Sequence, residues 1–101
     1  MPRREKGGSL TDYRIFETEQ FQKDLKHIAR SGMPKLVSKL HEYVYPQLRL
    51  NPTSGNNIKR LKSPYSGILR YRIGAWRFFY EIDEKRRIVS MLAAAHRSSA
   101  Y

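Results

Sequence analysis

The run that most constrains this chain is Ile68 to Ile82, ILRYRIGAWRFFYEI, in which apolar and polar side chains alternate on both sides of Gly74-Ala75. Alternation of period two is a strand signal, and a two-residue break with Gly at its first central position makes a hairpin turn. Such a turn pairs Ile73 with Trp76, Arg72 with Arg77, Tyr71 with Phe78 and Arg70 with Phe79. Leu69, Tyr71, Ile73, Trp76, Phe78, Tyr80 and Ile82 then share one face, the core. The other face sets two arginines directly across from each other. Like charges so placed are destabilising, and an anion lying on that face would explain them.

A chain of 101 residues is one ordinary domain, large enough for a single core. Its formal charge of +11 attracts polyanions: nucleic acid first, an acidic protein second, an anionic membrane third. The sequence has no cysteine, so no disulfide, zinc-thiolate site or thiol nucleophile carries fold or chemistry. No apolar run reaches the length of a signal peptide or a membrane span, and the expectation is a soluble, cytoplasmic protein.

Met1 to Leu10, with Arg3, Arg4, Lys6 and Gly7-Gly8-Ser9, reads as a flexible basic tail. Residues 11–101 read as a single domain. Tyr13 to Glu17 is a short alternating strand, and Thr18 stands where a helix cap belongs, ahead of Phe21, Leu25, Ile28 and Ala29 on one stripe. Gly32 and Pro34 end that helix. A second begins near Met33 with Leu36, Val37, Leu40, Tyr43 and Val44 as its apolar face, and Pro46 kinks or ends it before Asn51-Pro52. Thr53 to Asn57 is a loop, Ile58 to Lys62 continues it with three positive charges, and Ser63-Pro64 turns. Arg87 to Ala95 is a strand apolar on both faces, which places it inside the sheet. The expected fold class is α+β: a strand, two helices and a three-stranded antiparallel meander, helices on one side of an antiparallel sheet.

Basic residues collect in the sheet half: Lys59, Arg60, Lys62, Arg70, Arg72, Arg77 and Arg97, with Phe79 and Tyr101 as stacking surfaces. Arginines hold phosphates through paired hydrogen bonds and aromatic rings stack on unpaired bases, a combination that favours single-stranded RNA over duplex DNA. The competing reading is the solvated face of a basic domain. His27 and His41 fall on helices and face solvent. The chain lacks the His-x-x-x-His spacing and clustered carboxylates of a metal site, and its glycines make no phosphate loop.

The stretch Arg70-Tyr71-Arg72-Ile73-Gly74-Ala75-Trp76-Arg77-Phe78-Phe79-Tyr80-Glu81-Ile82-Asp83 resembles the "RxRxGxxRxxYEID" motif of the RelE/ParE toxin superfamily. The ending His96-Arg97-Ser98-Ser99-Ala100-Tyr101 is similar to the "HRxxxY" ending of its RelE branch, an mRNA interferase branch. The resemblance covers about Tyr13 to Tyr101. It implies a small toxin with a helical pair against a sheet, cutting mRNA in the ribosomal A site without a metal or cofactor, through attack of a ribose 2′-hydroxyl on the adjacent phosphate. It also implies a cognate antitoxin with an acidic or amphipathic segment.

That chemistry needs a proton acceptor, charge neutralisation on the phosphorane and a proton for the leaving 5′-oxygen. Carried over by position, Arg77 and Arg97 match phosphate-contacting arginines, Arg72 a position that is lysine in some members, and Tyr101 a nucleotide-orienting tyrosine. A guanidinium at Arg72 stays protonated and makes a poor base. His96 becomes the titrating candidate, set against a structural histidine ending a strand. Glu81 is a weaker candidate, better suited to an ion pair with a strand neighbour. Two other functions remain open: a ParE-like DNA gyrase inhibitor, and a non-catalytic module that binds RNA or the ribosome.

Overall fold

The computed structural model describes residues 12–99, so the basic tail over Met1 to Leu10 and the terminal Tyr101 lie outside the described residues. The chain runs β1 (Arg14–Glu17), α1 (Glu19–Arg30), α2 (Pro34–Lys39), a π turn (Leu40–Val44), α3 (Tyr45–Leu50), β2 (Ile58–Arg60), β3 (Ile68–Ile73), β4 (Trp76–Asp83) and β5 (Ile88–His96), closing with a 3-10 turn at Arg97–Ser99. The strands form one sheet in the order β1-β5-β4-β3-β2.

The fold class is α+β, as expected, with two differences in the sheet. It is mixed, because β1 lies parallel to β5, from Arg14 beside Ile88 to Glu17 beside Met91. Chain leaving β1 passes through the whole helical layer and the meander before β5 returns beside it. The basic segment from Ile58, expected as loop, contributes β2, which pairs antiparallel with β3 from Ile58 against Tyr71 to Arg60 against Leu69. Three residues are too few for alternation to show between the turn signals on either side.

Register in the β3–β4 hairpin is the one the sequence predicts: Ile73 faces Trp76, Arg72 faces Arg77, Tyr71 faces Phe78 and Arg70 faces Phe79. Gly74 has φ +57°, which a two-residue turn requires at its first central position and which costs glycine nothing. On the helix side, Leu69, Tyr71, Phe78, Tyr80, Val89 and Met91 pack beneath Phe21, Leu25 and Ile28 of α1 and Leu36, Leu40, Val44, Tyr45 and Leu48 of the second helical stretch. Phe21 and Phe78 meet edge to face at 6.1 Å.

Thr18 caps α1 by accepting the Phe21 amide at 3.2 Å, and its hydroxyl donates to the Met91 carbonyl at 2.8 Å. One residue thus starts the helix and ties it to β5. Ala29, expected on the apolar stripe, is exposed. The second helical stretch does not stop at Pro46: a π turn precedes the proline, with the Tyr45 amide bonded to the Leu40 carbonyl, and helix continues to Leu50. Proline lacks an amide and crowds the carbonyl four residues back, and a wider turn there accommodates both.

The π turn also sets which residues are buried. At about 3.6 residues per turn, a row spaced by four drifts about 40° per step, so Leu36 and Leu48 would part from a common face in an unbroken α-helix. Local unwinding keeps Leu36, Leu40, Val44 and Leu48 together in the core. The same unwinding moves Tyr43 out of the expected apolar face to 67% exposure.

Candidate nucleic-acid interface

Among the described residues no helix packs on the outer face of the sheet, and two cross-strand pairs build a square there. Arg72 stands opposite Arg77, and Arg70 opposite Phe79 one step along the same two strands. Lys59 of β2 adds a cation on the far side of Arg70. On the other flank, Arg77 and Phe79 have Ala95 and Ala93 of β5 as partners, which leaves their side chains room.

The arginines of this square are underused within the protein. Arg77 Nη1 donates to the carbonyls of Gly74 at 3.2 Å and Trp76 at 3.4 Å, but its Nε is buried without a partner. Arg70 Nε is buried and unpartnered as well. A shielded charged donor left unpaired costs on the order of 1–3 kcal/mol, which a bound anion would recover. Arg72 is exposed.

A bulge in β5 decides what else joins this face. Val89 and Met91 point into the core, so a regular strand would send Ala93 and Ala95 after them and His96 outward. Tyr80 instead pairs with Met91 and Phe79 with Ala93, leaving Leu92 as an extra residue. Beyond it the faces exchange. Ala94 packs against the core, Ala93 and Ala95 lie on the outer face, and His96 pairs with Trp76 on the helix side. Arg97 opens the 3-10 turn after β5, and its amide donates to the Ala75 carbonyl at 2.7 Å, which brings its backbone to the hairpin turn next to the Arg72–Arg77 pair.

His96 meets Trp76 edge to face at 5.3 Å. The Ser98 amide lies 3.2 Å from His96 Nδ1, and an amide can only donate, so Nδ1 accepts and the neutral ring carries its proton on Nε2. Ser98 Oγ is 2.9 Å from the same nitrogen. The ring therefore holds the turn on which Arg97 sits.

Of the residues expected to form a site, Lys59, Arg70, Arg72, Arg77 and Phe79 share one face, and Arg97 stands at its end. Arg60 pairs with Leu69 and so belongs to the other face, exposed at the sheet edge. Lys62 is exposed in the turn after β2. Glu81 sits between Ile68 and Ser90 and forms none of the ion pairs found among the described residues, contrary to expectation, because its strand neighbours are uncharged. His41 is exposed, with Nδ1–H on the Val37 carbonyl at 3.0 Å and Nε2 3.3 Å from Glu17, which also takes the Tyr45 hydroxyl. Burial, then that hydrogen bond, pushes Tyr45 far above the ordinary tyrosine range. Among the described residues no three His, Asp or Glu side chains converge on a common point.

Asp24 is a positioning residue that sequence reasoning missed. Its carboxylate accepts the Ala94 amide at 2.9 Å, just past the point where β1 ends and the bulge begins. Seventy positions separate the two, and no local pattern signals the contact.

A family model, the ParE toxin of type II toxin-antitoxin systems, parDE, matches residues 15–101. The chain belongs to that family. Within the RelE/ParE superfamily, its fold is similar to a chain of the RelBE2 toxin-antitoxin complex from Mycobacterium tuberculosis, with a TM-score of 0.72 and 24% identity over 85% of this chain and 99% of that one. It is also similar to the YoeB/ParE toxin from Agrobacterium tumefaciens, with a TM-score of 0.70 and 16% identity over 82% and 96%. For the archaeal RelE–RelB complex from Pyrococcus horikoshii the values are 0.64 and 19% over 88% and 99%. No curated protein sequence matches the chain. The ParE-family toxin has no helix, among its described residues, long and apolar enough to cross a membrane.

Proposed function

We propose that this type II toxin is a ribosome-dependent, metal-independent mRNA endoribonuclease acting in the cytoplasm. The observation that carries the reading is the square of Arg70, Arg72, Arg77 and Phe79 on the sheet face opposite the described helices, with two buried guanidinium nitrogens awaiting an acceptor. The 2′-oxygen attacks the adjacent phosphorus as its proton passes to water, the bond to the 5′-oxygen breaks and that oxygen takes a proton from water, giving a cyclic phosphate and a 5′-hydroxyl end. Arg72, Arg77 and Arg97 neutralise the phosphorane, where fixed donors act most strongly. Arg70 and Lys59 hold flanking phosphates on that face, Arg60 and Lys62 reach the strand from the sheet edge beside it, and Phe79 and Tyr101 stack on bases. His96 acts by orienting Arg97 through the Ser98 turn.

We further propose a cognate antitoxin whose acidic or amphipathic segment covers the arginine face. The relatives solved as RelBE2 and as RelE–RelB complexes support such a partner. The family model, named for ParE, favours a second reading, inhibition of DNA gyrase. Mapping mRNA 5′ ends on programmed ribosomes and on naked mRNA, with Arg97→Ala as control, separates the two. Codon-phased cuts that need the ribosome and vanish in the variant are expected. Double-strand DNA breaks without cleaved mRNA would favour gyrase instead.

A further inference from the structure

The helical layer carries a second cationic and aromatic surface. Lys35, Lys39 and Tyr43 follow one another at spacings of four, starting one residue before the buried row Leu36, Leu40 and Val44. The π turn that keeps the buried row in line keeps this neighbouring row in line too. Its three side chains rise along the helix about 6 Å apart and wall an open groove of about 520 Å³ together with Ser38 and Glu42. Tyr43 is 67% exposed, an aromatic ring held out among lysines where the sequence pattern expects it in the core.

We propose that the Lys35–Lys39–Tyr43 strip is a second RNA contact, in which the two ammonium groups hold phosphates of an unpaired stretch and the Tyr43 ring stacks on one of its bases. The inference rests on the reading of this toxin as acting on RNA. Two cations in line with a ring match a single strand, whose backbone and bases present charge and flat surface side by side. Ser38 and Glu42 supply hydrogen-bond groups suited to ribose hydroxyls and base amino groups. The protein then grips RNA at the helices and presents the arginine face of the sheet to the strand it cuts.

The test removes the sheet site first. In an Arg70→Ala, Arg72→Ala, Arg77→Ala background, binding of a fluorescein-labelled, unstructured oligoribonucleotide is followed by anisotropy at several salt concentrations. The background protein is expected to retain binding, Tyr43→Ala to weaken it about tenfold and Tyr43→Phe to keep it. Replacing Lys35 and Lys39 by Ala should reduce the slope of log affinity against log salt by about 1.4, two phosphates of a single strand. Equal binding by background and strip variants, or a Tyr43→Phe loss as large as that of Tyr43→Ala, would overturn the proposal. A strip that binds in a protein that cuts no mRNA upholds this inference while the nuclease reading fails. Cleavage by wild type with strip variants that bind RNA unchanged does the reverse.

Discussion

The β3–β4 hairpin and the distal half of β5 share one ladder but are held in opposite ways. In the hairpin every residue from Ile68 to Ile73 has a partner on β4, and a glycine turn fixes the register. Past Met91, β5 has lost β1 on one side, carries an extra residue at Leu92 and is held by side chains of α1: Thr18 on the Met91 and Leu92 carbonyls, Asp24 on the Ala94 amide. The hairpin supplies the charge, while β5 determines which of its own residues come alongside it. A site assembled from both depends on the bulge as much as on the arginines.

The largest loss is expected where the charge is taken from the hairpin. With Arg72→Ala and Arg77→Ala together, β5 keeps its bulge while the cross-strand charge is gone, so cleavage should fall to about a thousandth of wild type or less in a single-turnover assay. The two faces of β4 can be separated next. Phe78→Ala, on the core side, should cost about 3–5 kcal/mol in chemical denaturation, whereas Phe79→Ala should leave stability within about 1 kcal/mol and weaken RNA binding.

A smaller effect is expected at the strut under β5. Asp24→Ala strands the Ala94 amide and should cost about 1–3 kcal/mol, seen as faster hydrogen exchange at Ala94 with β3 and β4 amides little changed; Asp24→Asn retains an acceptor and should recover much of it. The smallest effect belongs to the β4–β5 turn. The Arg86 amide and then the Arg86 charge hold the Asp83 carboxyl below its ordinary range. Its contribution is therefore present at neutral pH and lost as pH falls through the carboxylate range and below, so Asp83→Asn should slightly flatten the acid side of the stability profile.

The hairpin was legible because each residue of ILRYRIGAWRFFYEI states its own face and the glycine states the turn. Thr18 was legible as a cap for the same local reason. The bulge was not, because Met91-Leu92-Ala93-Ala94-Ala95 is apolar throughout and carries no alternation from which an extra residue could be noticed. His96 and Arg97 were therefore readable as candidates by residue type, but not as placed on the helix side and at the hairpin turn respectively. An unbroken helical period places Tyr43 in the core, and the π turn interrupts that period; β2 is hidden by its length. The parallel pairing of β1 with β5 joins segments more than seventy positions apart, beyond any local pattern.

The most direct measurement is one comparison of rates: single-turnover cleavage of mRNA on programmed ribosomes, at saturating toxin, by Arg77→Ala and by His96→Ala across a range of pH. Expected are a loss of about 10²–10³-fold for Arg77→Ala and of about tenfold or less for His96→Ala, with the pH profile of the His96 variant shaped like that of wild type. A His96→Ala loss as large as that of Arg77→Ala, with a flattened profile, would place the proton-transfer chemistry on the Trp76 side of the sheet and contradict that expectation.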